Sequence, residues 1–89
     1  MRKLELSQLY YLNREIELGT AANIGALIVK RDRLMAYINS IEDSLTRQIF
    51  KLRYVSRLSW KEVAAEVGGR NTAEGVRKNH GRYLNKNKV

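Results

Sequence analysis

Between residues 70 and 86 the chain carries Arg70, Arg77, Lys78, Arg82 and Lys86, with Glu74 among them. Arginine and lysine present N–H donors that match guanine O6 and N7, or phosphate oxygens; glutamate can accept from cytosine N4. On a helix, Val76, His80, Tyr83 and Leu84 fall within one arc of about 100°. Glu74, Arg77, Lys78, Gly81, Arg82 and Asn85 take the opposite side, across about 140°. One face can dock on a scaffold while a basic strip looks outward. A solvated surface helix also carries charge runs, so the surroundings of this one have to decide.

Those surroundings are SWKEVAAEVGGRNTAEGVRKNHGRYLN, residues 59–85. Ser59 and Glu62 have the Ser-x-x-Glu spacing of a reciprocal capping box. Trp60, Val63, Ala64 and Val67 follow as one apolar stripe on a helix of two turns. Gly68 stands where a helix C-terminus favours a left-handed residue. Gly69, Arg70 and Asn71 form a turn, and Asn71 or Thr72 can cap a second helix over 72–85. Two short helices joined in this way are the layout of a helix-turn-helix, whose second helix enters the major groove of double-stranded DNA.

Charge placement favours that reading. The chain has 17 Lys and Arg against 9 Asp and Glu, a formal net charge of +8. Residues 1–46 are balanced, so the whole excess lies in residues 47–89. A basic pole on a neutral body is the footprint of a polyanion binder. A membrane partner is not expected: no apolar run approaches a span, and the basic half lacks a bulky apolar counter-face. With no cysteine, disulfides and thiol chemistry are excluded, and a cytoplasmic setting is expected. No signal-peptide core opens the chain. Catalysis is not expected either. The single histidine has no second ligand at metal spacing, the basic half lacks paired carboxylates, and no glycine loop follows a strand. Neither a metal nor another cofactor is implied.

The elements that must position the strip come earlier. Leu6, Leu9, Leu12 and Ile16 predict a helix within 1–18, with Ser7 a possible cap, or a start near Arg2. Gly19 closes it and Thr20 can open the next. Ile24, Leu27, Arg31, Leu34, Ile38, Ile41 and Leu45 alternate three and four residues apart, the a/d seam of a coiled coil with one charged member. Residues 21–42 would make a rod of about 33 Å, too long for a small module to cover. The partner expected for Ile24, Leu27, Arg31, Leu34, Ile38 and Ile41 is the same helix of a second copy; residues 4–18 folded back as a hairpin, or both together, are the alternatives. Asp43 caps the next helix, about 44–56, whose apolar surface is Leu45, Ile49, Phe50, Leu52, Tyr54 and Val55. The expected fold is all-α. A helical hairpin or coiled coil for dimerisation (1–42) precedes a three-helix helix-turn-helix module (43–86) and a basic tail (87–89).

The segment DSLTRQIFKLRYVSRLSWKEVAAEVGGRNTAEGVRKNHGRYL resembles region 4 of sigma-70-type RNA polymerase sigma factors. Its IFKLRY, LSWKEVAAEVG and TAEGVRKNHGRYL pieces match that region's helices, over about residues 37–84. The chain looks most similar to short phage and prophage proteins of this type from Gram-positive bacteria, which implies a bacterial host cell. The resemblance implies promoter recognition through Ala73, Glu74, Arg77 and Lys78, with Arg70 and Thr72 near phosphates. It also implies transcription regulation, with RNA polymerase as a further partner. Many relatives have glycine where Arg57 stands. These residues hold nothing that resembles the region that melts promoters, so a full sigma factor is not expected.

By chemistry, Arg77 and Lys78 are the leading base readers. Lys61, Arg70, Thr72, Arg82 and Lys86 suit phosphate, which sets register without reading sequence. His80, Trp60 and Tyr83 read as core. Tyr10 and Tyr11 read only as helix surface or dimer contact. Two alternatives share these features: a small terminase or other genome-packaging subunit, and a polymerase-docking module whose helix-turn-helix is structural.

Overall fold

The computed structural model describes residues 3–19 and 22–87, and every regular element among them is helical. The order is α1 (Lys3–Leu6), α2 (Leu9–Leu18), α3 (Ile24–Asn39), α4 (Ser44–Phe50, continued as a π-helical turn over Lys51–Val55), α5 (Trp60–Val67) and α6 (Ala73–Lys86). The all-α expectation holds. The first expected helix is interrupted at Ser7 and Gln8, and α2 starts after Gln8 with no side-chain cap. Gly19 then closes α2 in the left-handed conformation, φ 64°, as its position in the sequence suggested. Thr20, Arg2 and the tail residues Lys88 and Val89 lie outside the described residues.

The expected rod is shorter than its periodicity implied. α3 ends at Asn39, and Ser40 Oγ donates to the Tyr37 carbonyl at 2.6 Å. Asp43 then opens a separate helix. Its carboxylate accepts from the Thr46 N–H at 2.9 Å and from the Thr46 hydroxyl at 2.7 Å. These bonds hold the Asp43 carboxyl below the usual carboxylate range, the backbone donor being the larger cause. With 16 residues, α3 spans about 24 Å. Leu45, the last member of the seam, sits on α4 instead.

The seam is also covered differently. Leu34, Ile38 and Ile41 are fully buried, in one cluster with Leu6, Leu9, Leu12, Phe50 and Tyr54. Early residues of α2 thus meet late residues of α3, the contact of an antiparallel pair. Leu34, Ile38 and Ile41 belong to the protein's own core. Ile24, Leu27 and Arg31 are half-buried; Leu27 packs on the same cluster and Arg31 pairs with Asp32 at 3.0 Å. The reason is general: a three-four spacing marks one apolar stripe on a helix but does not name what covers it. Here the nearest partner was already in the chain.

A second cluster, Ile49, Val63, Ala64 and Val76, joins α4, α5 and α6, with Leu45, Leu52, Leu58, Trp60 and Val67 packed around it. Each fully buried aliphatic side chain contributes roughly 1.5–3 kcal/mol. The two clusters meet in α4, where Ile49 faces one and Phe50 the other. The expected boundary near residue 43 is therefore bridged by packing.

Candidate nucleic-acid interface

The scaffold for the basic strip is built as its sequence dictates. Ser59 Oγ accepts from the Glu62 N–H at 3.2 Å, and Glu62 Oε1 accepts from the Ser59 N–H at 3.0 Å. Those bonds hold the Glu62 carboxyl below its ordinary range, led by the backbone donor. Val63 and Ala64 turn inward. Gly68 follows at φ 76°, ψ −163°, a region essentially confined to glycine, which swings the chain out of α5. Asn71 Nδ2 donates to the Gly68 carbonyl at 2.9 Å, fixing the turn. Of the two candidate caps for the second helix, Thr72 serves: its hydroxyl accepts from the Gly75 N–H at 3.0 Å.

α6 separates its faces. Val76 and His80 are buried, while Tyr83 and Leu84 lean on the first cluster. The His80 ring lies 4.9 Å from the rings of both Phe50 and Trp60, and its Nε2 is hydrogen-bonded to the Tyr54 hydroxyl. Burial pushes the Tyr54 hydroxyl above its ordinary pKa. His80 is a packed core residue. On the other side Glu74, Arg77, Lys78, Arg82, Asn85 and Lys86 are exposed, and Gly81 half-exposed.

Three of the four expected base readers converge. Glu74 Oε1 and Oε2 accept from Arg77 Nη2 at 2.6 Å and Nε at 3.2 Å, and Lys78 Nζ lies 3.8 Å from Glu74 Oε1. The Arg77 hydrogen bond is the leading cause that holds the Glu74 carboxyl down, and the same bond raises the guanidinium. Ala73, the fourth, is half-buried in the first turn of α6. Of the expected phosphate contacts, Arg70 is exposed in the turn, Lys61 on α5, and Arg82 and Lys86 on α6. Thr72 is exposed with its acceptor committed to the cap.

Several features were not read from the sequence. Arg57, in the turn into α5, adopts φ 55°, a left-handed conformation that glycine takes up more readily than other residues. Its guanidinium lies 4.9 Å from the Tyr10 ring and 4.8 Å from the Tyr11 ring, which gives both tyrosines a role on α2. Arg53 closes the same turn from the other side. It donates to the Leu58 carbonyl at 2.8 Å and covers Trp60 at 4.3 Å. Such cation–aromatic contacts join residues far apart in sequence and leave no local pattern. Asn79, unremarked in the sequence, brings its side-chain amide to 3.0 Å from the Thr46 hydroxyl and so ties α6 to α4. A Cβ at Gly75 would meet Thr72 Oγ1 at 3.1 Å, so that glycine makes room for the cap. A Cβ at Gly81 would meet nothing within 4 Å.

Fold and site together define an all-helical protein with two turn-linked helices, the second of which exposes a cationic strip. Among the described residues no helix is long and apolar enough to cross a membrane. The chain matches no family model, no curated protein and no solved structure.

Proposed function

We propose that this chain is a sequence-specific DNA-binding transcription regulator of the sigma-region-4-like type, reading the major groove with α6. The observation that supports it most is the division of α6. Val76 and His80 anchor one face in the core, and Glu74, Arg77, Lys78 and Arg82 line the other in solvent. A major groove about 12 Å wide admits a helix docked in this way. The net charge of +8, concentrated in residues 47–89, supplies the attraction.

The test is selection of binding sites from random duplexes, followed by affinity against salt concentration. A common motif should emerge. The four phosphate candidates Lys61, Arg70, Arg82 and Lys86 should give a log–log salt slope of about −3 to −4. Lys86→Ala should weaken every duplex alike and flatten that slope by about 0.9, while Arg77→Ala should relax one base preference. Retention of no duplex at roughly 0.1 M salt, with polymerase still captured, would replace the reading by a docking module. A ring-shaped assembly on DNA would replace it by a genome-packaging subunit.

A further inference from the structure

The Glu74–Arg77 contact is unusual for what it leaves open. Glu74 occupies the side edge of the guanidinium, Nε and Nη2, at 3.2 and 2.6 Å. The end edge keeps an N–H on each of Nη1 and Nη2, a parallel pair that matches the O6 and N7 acceptors of guanine. The ion pair itself adds little to fold stability: the Glu74 and Arg77 side chains are more than half exposed, and exposed pairs are worth little. Its effect falls on the arginine. A free arginine has many rotamers to lose on docking, and one already held along its side edge has fewer. The carboxylate has a second effect, because a negative charge in a cationic strip repels phosphate and penalises docking on the backbone alone.

We infer that Glu74 is a positioning residue for base recognition: it holds Arg77 so that the end edge of the guanidinium meets a guanine, and it discourages non-specific duplexes. This assigns Glu74 a role different from accepting from cytosine, and it rests on the reading of α6 as the groove element. It makes guanine, opposite Arg77, part of the preferred site.

The experiment uses the full chain and the duplex selected from a random pool, with each guanine replaced in turn by 7-deazaguanine, which lacks the N7 acceptor. For the wild type, one replacement should cost on the order of tenfold in affinity, and Arg77→Ala should erase that sensitivity. Glu74→Ala should bind random duplexes more tightly, with a steeper salt slope, while its 7-deaza penalty falls to about threefold or less. Glu74→Gln, which can still accept from Arg77 but carries no charge, should share the tighter random binding and regain part of the penalty. Thermal midpoints of the free variants check that the fold is intact. The inference is overturned if Glu74→Ala keeps the full penalty, if it weakens all duplexes in the same ratio, or if a wild type that selects a motif feels no 7-deaza replacement. In those three cases the groove reading stands. A wild type that binds no duplex removes the groove reading and the inference with it.

Discussion

Replacing Arg57 by glycine and, separately, by alanine separates its backbone from its side chain. At φ 55° an L-residue pays for crowding between Cβ and backbone, roughly 1–2 kcal/mol. The side chain offsets this through its positions over Tyr10 and Tyr11, each contact worth about 0.5–1 kcal/mol at an exposed site. Arg57→Ala loses both contacts and keeps the crowding, so it should cost about 1–2 kcal/mol. Arg57→Gly loses the same contacts but sheds the crowding, against about 0.4–1 kcal/mol for a looser unfolded chain. It should lie within about 1 kcal/mol of the wild type and above the alanine variant.

The order of the two variants is diagnostic. At an ordinary helical site alanine exceeds glycine by about 1 kcal/mol, and here the order should reverse. Urea unfolding measures it: with an m-value of about 1–2 kcal/mol/M, a gap of that size moves the midpoint by roughly 0.5–1 M. Tyr11→Ala supplies the cross-check. Its cost should shrink by about 0.5–1 kcal/mol when made in the Arg57→Gly background, because the stacking is already gone. An alanine variant equal to or more stable than the glycine variant would refute the left-handed turn. Equal costs of Tyr11→Ala in both backgrounds would refute the stacking.

Gly81→Ala should raise stability by about 1 kcal/mol, a gain of roughly 4–8 °C in thermal midpoint, since a Cβ there meets nothing; Gly75→Ala, crowded by Thr72 Oγ1 at 3.1 Å, should gain less or lose. Equal gains at both sites would count against the cap geometry. Ile38→Asp should unfold the chain rather than divide an assembly, because an unpaired charge at a fully buried site costs more than about 4 kcal/mol. Circular dichroism with light scattering tells the two outcomes apart. Asp43, Glu62 and Glu74 are held below the usual carboxylate range by their hydrogen bonds, so their contribution is complete above the unfolded values near 4 and is lost as pH falls through the lower folded ones. The thermal midpoint should thus be level above about pH 5 and decline below about pH 4, and Asp43→Asn should make the decline shallower.

The α5–turn–α6 unit was legible because each of its signals is local. A capping box spans four residues, a glycine turn two, and the faces of α6 repeat within one helix, so Ser59, Glu62, Gly68, Thr72 and His80 all declared themselves in the sequence. What covers a stripe is not local. Leu34 and Ile38 read as a seam between chains, and the position of Leu6, Leu9 and Leu12 in space places them in one core cluster within the chain. The same holds for Arg53 and Arg57, whose aromatic neighbours are set by tertiary folding. The π-helical turn at Lys51–Val55, where the Ser56 N–H reaches the Lys51 carbonyl at 3.2 Å, has no compositional mark at all.

That turn matters for how the strip is presented. α6 stands on two supports: Val76 rests in the cluster of α4 and α5, whereas Tyr83 and Leu84 rest on the cluster that α1, α2 and α3 build around Phe50 and Tyr54. Phe50, at the end of α4, lies 5.3 Å from the Tyr83 ring and 5.7 Å from that of Tyr54, and the π-helical segment that follows it packs on α2. Arg57 fastens the end of that segment to α2 through the two tyrosines. The N-terminal helices are therefore part of what aims Arg77 and Lys78. Loosening α2 should disturb the C-terminal half of α6 before the capped N-terminal half, because Val76 belongs to the second cluster and Thr72 holds the cap. Amide exchange in a Tyr10→Ala, Tyr11→Ala double variant reads this directly: protection should fall first around Tyr83 and Leu84, and uniform loss along α6 would show that the two supports act as one.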